Sequence, residues 1–280
     1  MMLNEQMVSE QNIGLSETIP AVTWLICTNV CNELLHEALK SCLDQSFSDF
    51  EIVLVANGPD SSEIEAQVLF WFGTDPRIRV VITDVRYLTF SLTLGLHHAR
   101  AELIARMDSD DISTLDRLDL QVAFMQAHPD VAVLGSAYEM INNQGISQKK
   151  INLPTEDKHI RQKLFLGNPI CHPSVMFRRK VVLAAGGYLG YIFAEDYDLW
   201  VRLARNQRIR FANLKDVCLK YRMSSNTVGL SRRSRQTYAS VAASQMRCFL
   251  LGQNRILWGF ATLLSFMKVI ALSNKKSKDL

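Results

Sequence analysis

The 280-residue chain carries little net charge, +3 from 31 basic and 28 acidic side chains, and composition gives no case for a nucleic-acid partner. Its six cysteines (Cys27, Cys31, Cys42, Cys171, Cys218 and Cys248) form no C-x-x-C pair and no disulfide framework. Most lie inside apolar runs, which reads as reduced core thiols in a cytosolic protein. No G-x-G-x-x-G follows the first apolar run, and no G-x-x-x-x-G-K-[ST] occurs, so dinucleotide and P-loop readings lack their phosphate-cradling glycines. Residues 1–19 contain Glu5, Glu10 and Glu17 and no apolar h-region, which excludes a signal peptide and reads as a loose leader. There is no internal repeat and no low-complexity tract. What remains, 48% hydrophobic and 21% charged, is the composition of a folded globular protein with a substantial core.

Strand-length apolar runs alternate with helical patterns through the first 112 residues. Runs at 21–27, 51–56, 77–82 and 103–107 read as strands; patterns from Asn32, from Ser61 to Phe72, and over 91–100 read as helices. Such alternation predicts an α/β fold, with a mostly parallel sheet covered by helices on both faces. Beyond it, 116–128 reads as a helix and 131–141 as a strand, and 142–150 as a polar loop. Further helices are expected over 156–165, 179–185 and 196–205, an extended segment over 174–177, and two short strands at 210–212 and 217–221. The basic run Arg232-Arg233-Ser234-Arg235 opens a last helical region as a solvated face.

The most informative stretch is Ile104-Ala105-Arg106-Met107-Asp108-Ser109-Asp110-Asp111. An apolar strand ends in three carboxylates within four residues. Asp and Ser between a strand and a helix can simply turn the chain and cap the helix. Carboxylates crowded this closely also repel one another, and a divalent cation with a preference for oxygen ligands relieves that. The C-terminal ends of strands in an open α/β sheet are where ligands usually sit. A second acidic site, Glu195-Asp196-Tyr197-Asp198, falls where a loop becomes a helix. Asp198 reads as a first-turn acid complementing the helix dipole. Asp196 reads as a carboxylate that could serve as a general base for an alcohol. His97 and His98 are helix neighbours facing different ways and read as surface residues.

Taken together, these segments resemble the family 2 glycosyltransferases, inverting enzymes of the GT-A fold. The resemblance spans roughly Val22 to Tyr221. It is carried by Ala105 to Ile112 with Asp116-Arg117-Leu118, by Asn168 to Arg178, by Ala185-Gly186-Gly187-Tyr188 and by Ala194 to Trp200. It implies a bacterial surface-polysaccharide enzyme that moves a hexosyl or N-acetylhexosaminyl group from a nucleotide-diphosphate sugar to a hydroxyl of a glycan or lipid-linked glycan. Asp110, with Asp108 on the ribose or in the outer shell, would hold Mn²⁺ or Mg²⁺. Asp196 would be the catalytic base, and Glu195 and His172 would contact the acceptor. Val30, Asn57, Gly186 and Gly187 would contact the nucleotide sugar.

Three motifs depart from the family pattern. Asn29-Val30-Cys31-Asn32 stands for Pro-x-Tyr-Asn, Ala56-Asn57-Gly58-Pro59 for Asp-Asp-Gly-Ser, and Tyr221-Arg222-Met223-Ser224 for Tyr-Arg-x-His. Ala56 offers no acceptor to a uracil N–H, whereas the Asn57 carbonyl does from the next position. A UDP-sugar is the favoured donor. These losses also support a competing reading, a non-catalytic nucleotide-sugar binder of the same fold. The expected organisation is a leader (1–19), a GT-A domain (20–230) and a helical extension (231–280). Within the domain, 20–112 is the nucleotide half and 113–230 the acceptor half. Residues 256–272 are apolar apart from Lys268 and a few small polar residues, with Lys275, Lys276 and Lys278 beyond. That stretch is marginal for spanning a bilayer, so 256–278 reads either as a contact with the inner face of the plasma membrane or a partner, or as packing on the protein's own core. The expected location is cytoplasmic and peripheral to the membrane.

Overall fold

A computed structural model describes residues 18–189, 193–223, 234–252 and 254–276. The expected leader lies outside them except for Thr18 and Ile19, as do Ser224, Arg232, Arg233 and Lys278.

The first half has the expected alternation: β1 (Val22–Thr28), α1 (Glu33–Leu43), β2 (Phe50–Asn57), α2 (Ser61–Phe72), β3 (Ile78–Thr83), α3 (Leu88–His98) and β4 (Leu103–Asp108). These four strands run parallel in the order β3-β2-β1-β4. β2 is buried along its whole length, and this is why it reads as an unbroken apolar run: a parallel strand covered on both faces has no solvent side to alternate toward. α1 begins where Asn32 caps it, its side chain accepting from the Leu35 N–H at 3.1 Å. Leu35, Ala38, Leu39 and Cys42 form its buried stripe, at the spacing of one helical face. Two cores result. One gathers Trp24, Ile26 and Leu54 with α1 and α2; the other gathers Leu25, Val53 and Val55 with α3.

The remainder comprises β5 (Ile112–Ser113), α4 (Arg117–Ala127), β6 (Val131–Ile141), β7 (Ser147–Ile151), α5 (Asp157–Leu164), a 3-10 turn (His172–Ser174), β8 (Met176–Arg178), α6 (Arg179–Ala184), α7 (Glu195–Ala204) and β9 (Arg210–Arg222). They extend the sheet as β4-β8-β6-β9-β5, with β7 on β6; β6 and β9 pair in parallel, while β8, β7 and β5 join antiparallel. β8 inserts antiparallel between β4 and β6.

Three expectations are corrected. α3 starts at Leu88 rather than at Ser91, with the buried Thr89 opening it. The polar segment 142–150 is in part a strand: β7 pairs antiparallel with β6 across a turn in which the Asn142 carboxamide oxygen accepts from the N–H groups of Gln144 and Ile146. Its residues are mostly exposed and polar, Lys149 and Lys150 among them, as suits an edge that must not recruit another chain, and this erases the apolar signature of a strand. The two short strands at 210–212 and 217–221 are one strand, β9. Its polar middle is a bulge, where the pairing with β6 jumps from Ser136↔Leu214 to Ala137↔Val217.

Two C-terminal helices follow, α8 (Arg235–Leu251) and α9 (Arg255–Lys276). Ser234 caps α8 by accepting from the Thr237 N–H at 3.0 Å. Cys248, Trp258 and Ala261 join the second core, so one side of this helix pair packs on the protein itself. The other side is apolar and bare, with Ile256, Leu257, Phe260, Leu263, Met267 and Ile270 all exposed. Among the described helices, α9 is long and apolar enough to cross a membrane by length and composition.

Candidate active site

β4 carries its last residue, Asp108, to the C-terminal edge of the parallel sheet, and the chain turns there through Asp110 and Asp111. Each of the three carboxylates offers an oxygen within 4.8 Å of the others. The turn is held from below by the buried Arg222. Its backbone N–H donates to Asp111 Oδ1 at 2.8 Å, its Nε to the Asp110 carbonyl at 2.8 Å, and its guanidinium also pairs with Glu37. Asp111 is 1% exposed, and its Oδ2 finds no hydrogen-bond donor among the described residues. Burial, and then the Asp108 charge, push Asp111 well above the usual carboxylate range. The same two causes bring Asp110 up to about 6, although its outer edge is exposed. Crowded acids with an orphaned buried oxygen are short of positive charge. An all-oxygen set of this kind fits a hard divalent cation such as Mn²⁺ or Mg²⁺.

Asp108 also accepts from Arg106 Nη2, two residues back on the same face of β4. The Arg106 backbone is clamped on both sides, its N–H donating to the Val175 carbonyl at 2.9 Å and its carbonyl accepting from Arg117 Nη2 at 2.8 Å. Arg117 is itself fully buried, stacked 4.7 Å over Trp24, and binds the Pro173 carbonyl, so it pins β4 to the 172–175 segment.

The second acidic group stands at the start of α7. The residue before the helix, Ala194, sits in the left-handed region at φ 61°, a conformation costing roughly 1–3 kcal/mol for a non-glycine residue and concentrated at functional sites. Asp196 accepts from Asn168 Nδ2 at 2.6 Å and from the Tyr197 N–H at 2.7 Å. Burial, and then the adjacent Asp196, push Glu195 up to about 8. Asp198 lies in the first turn as expected, but it points inward, where it pairs with Arg202 and with Arg247 of α8.

His172 is buried behind these acids. Its Nε2 is 2.8 Å from the Tyr188 hydroxyl and its Nδ1 3.7 Å from Glu195 Oε1, and burial followed by the nearby Arg106 charge keeps the ring neutral.

A cavity of about 650 Å³ unites the two groups, with Arg106, Asp108, His172, Asn168, Glu195 and Asp196 in its wall. Val30, Asn57 and Asp110 lie outside it, Val30 just beyond the C-terminal end of β1, Asn57 at the end of β2 and Asp110 just past β4. Gly186 and Gly187 are likewise absent from its wall. At φ 91° and 66° they end α6 in a turn that sends Tyr188 to His172, and a Cβ on Gly187 would come within 3.2 Å of Thr93 Oγ1. The far wall comes from the tail, through Tyr238 of α8 and Ser265 and Lys268 of α9. Those contributions were missed in the sequence, as was Arg106. The available signals were a lone arginine inside an apolar strand and a lone lysine inside an apolar helix.

The profile of Glycosyl transferase family 2 matches residues 23–186. The O-antigen biosynthesis glycosyltransferase WbnJ of Escherichia coli is 34% identical over 214 residues, covering 76% of this chain and 82% of that protein. Staphylococcus aureus TarS 1–349, solved in complex with UDP-GlcNAc, superposes with a TM-score of 0.63 at 16% identity, over 89% of this chain and 72% of that one. The mannosyltransferase PcManGT of Pyrobaculum calidifontis, solved with GDP-Man and Mn²⁺, gives 0.64 at 18% identity, over 92% and 76%. The fold is that of the GT-A glycosyltransferases, and the chain belongs to glycosyl transferase family 2.

Proposed function

We propose that the protein is an inverting glycosyltransferase that moves a sugar from a nucleotide-diphosphate sugar to an acceptor hydroxyl in the assembly of a surface polysaccharide. The observation that carries this reading is the single cavity with Asp108 of the β4 cluster and Asp196 of α7 both in its wall. A displacement at an anomeric carbon needs a charge sink for the leaving diphosphate on one side and a base on the other, and these are the two groups available.

The chain's own residues divide the work. Asp196 takes the proton of the acceptor hydroxyl as its oxygen bonds to the anomeric carbon, while the bond from that carbon to the diphosphate breaks on the opposite face and its electron pair leaves with the diphosphate. One in-line step inverts the carbon. Asn168 holds Asp196 in place through its 2.6 Å hydrogen bond. Glu195, largely protonated at neutral pH, can donate a hydrogen bond to the acceptor, and neutral His172 braces it from behind. Asp110 and Asp108 would hold Mn²⁺ or Mg²⁺, with Asp111 beside them. A divalent ion bound there supplies Lewis-acid stabilisation of negative charge on the nucleotide diphosphate.

The donors named in complex with TarS and PcManGT are a uridine and a guanosine diphosphate sugar, and the latter complex contains Mn²⁺. A UDP-sugar is our favoured donor, with Val30 and Asn57 at the nucleotide end of the sheet edge and the Gly186-Gly187 turn on the donor side. For the acceptor, a lipid-linked glycan suits the bare apolar side of α9, which would rest on the cytoplasmic face of the inner membrane. Melting temperatures measured against a panel of UDP- and GDP-sugars with and without Mn²⁺ test the donor site, because a ligand of the native state raises its stability. At least one donor is expected to stabilise the protein in a Mn²⁺-dependent way that Asp110→Ala abolishes. No response to any member of the panel overturns the reading.

A further inference from the structure

Arg106 has no explained role in the scheme above. It is 3% exposed, and Nη2 is bonded to Asp108, yet Nε and Nη1 have no acceptor among the described residues. A buried cation with unused donors is costly, and native structures rarely keep one without a ligand or function to meet it. Chance flexibility does not account for it either, since its backbone is clamped through both its N–H and its carbonyl. The side chain forms part of the cavity wall. Its charge is felt by carboxylates on both sides, Asp110 in the first acidic group and Glu195 in the second.

We infer that the unused Nε–H and Nη1–H of Arg106 bind the transferred sugar of the donor, by donating to its hydroxyl or ring-substituent oxygens. This rests on the glycosyltransferase reading. In that reading the diphosphate lies at the Asp108–Asp110 end and the acceptor at Asp196, so what lies between is the sugar ring. Arg106 occupies that interval, tied to Asp108 on one side and close enough to Glu195 and His172 to act on both. Its charge is already matched by Asp108, with two further acids nearby, so neutral oxygen acceptors suit the remaining N–H groups better than a second anion. Arg106 is thus a specificity-determining residue for the donor sugar, distinct from the residues that hold the nucleotide.

Isothermal titration at saturating Mn²⁺ separates these roles, using UDP, UDP-N-acetylglucosamine, UDP-galactose, GDP and GDP-mannose as probes. The wild-type protein is expected to bind at least one of these sugar nucleotides more tightly than the matching nucleoside diphosphate. In Arg106→Met, the affinity for that sugar nucleotide falls about tenfold to a hundredfold, the equivalent of one or two charge-assisted hydrogen bonds, while that for the nucleoside diphosphate changes less than about twofold. Arg106→Lys keeps the charge without the directed fork, and it retains nucleotide binding while losing the preference for the sugar form. It also serves where the methionine variant does not fold. Equal losses for both ligands would mean that Arg106 acts only through Asp108, and no loss would mean that its donors never meet the sugar; either result overturns the assignment. A wild-type protein that binds none of these probes removes the donor reading itself, and this assignment with it.

Discussion

Glu51 and Asp111 are acids buried at opposite ends of the parallel strands, Glu51 near the start of β2 and Asp111 in the turn after β4, and the protein treats them in opposite ways. Glu51, near the start of β2, is 3% exposed and fully answered: Thr23 donates to it at 2.7 Å, the Arg100 N–H at 2.8 Å and Arg100 Nε at 2.7 Å. Burial alone would raise its pKa, but the hydrogen bonds from Arg100 and Thr23 outweigh that and hold it below the usual range. Asp111 is buried as deeply, keeps one oxygen unanswered, and is driven the other way. One end of the sheet spends its polar groups on cohesion and the other holds them in reserve. Acids left short of partners at the ligand-binding edge mark the site, whereas acids that are satisfied mark the scaffold.

The sharpest break in this comparison is expected from Asp196→Asn. Loss of the proposed general base should lower the transfer rate by about 10²–10⁴, and steady-state assays should show it while donor affinity and melting temperature hold. The converse is expected at the other end. Glu51→Gln should leave the rate on bound donor intact but lower stability by about 2–3 kcal/mol, through weakened charged hydrogen bonds, as read by urea unfolding. A variant at either end that moves both quantities equally would erase the distinction.

The pH dependence separates the two ends by sign. Glu195 is raised to about 8 in the folded protein, so the native state holds its proton where the unfolded chain has released it. Stability therefore falls as pH climbs from about 4.5, the usual Glu range, toward 8, then levels off. Glu51 is lowered, so its contribution is full above the unfolded value and is lost as pH drops through the acid range. Melting curves in EDTA should show a shallower fall between about pH 4.5 and 8 in Glu195→Gln and a flatter acid side in Glu51→Gln. The smallest effect concerns the tail. Replacing Phe260 and Met267 by serine should reduce sedimentation with anionic vesicles several-fold, since both are exposed on the bare side of α9, and should change stability by less than about 0.5 kcal/mol.

What was legible in the sequence follows the same divide. The four parallel strands were plain because burial on both faces leaves a continuous apolar run, and the acids at the end of β4 stood out against it. β7 was hidden because an edge strand carries the charges of a loop, and β9 was split in two because its bulge is polar. Asp196 could be singled out by its place at a helix start. The reach of Arg247 to Asp198 and of Arg222 to Asp111 could not be, since each joins segments dozens of residues apart and leaves no local pattern.

The link between Asp198 and α8 also bears on how the protein can be handled. Trimming the greasy C-terminal helices is a natural way to improve solubility. It would strip Arg247 and Ser244 from a carboxylate with no exposed surface of its own, two residues along α7 from Asp196. A shortened protein is therefore expected to lose turnover before it loses its fold, because the tail buttresses the helix that presents the proposed base.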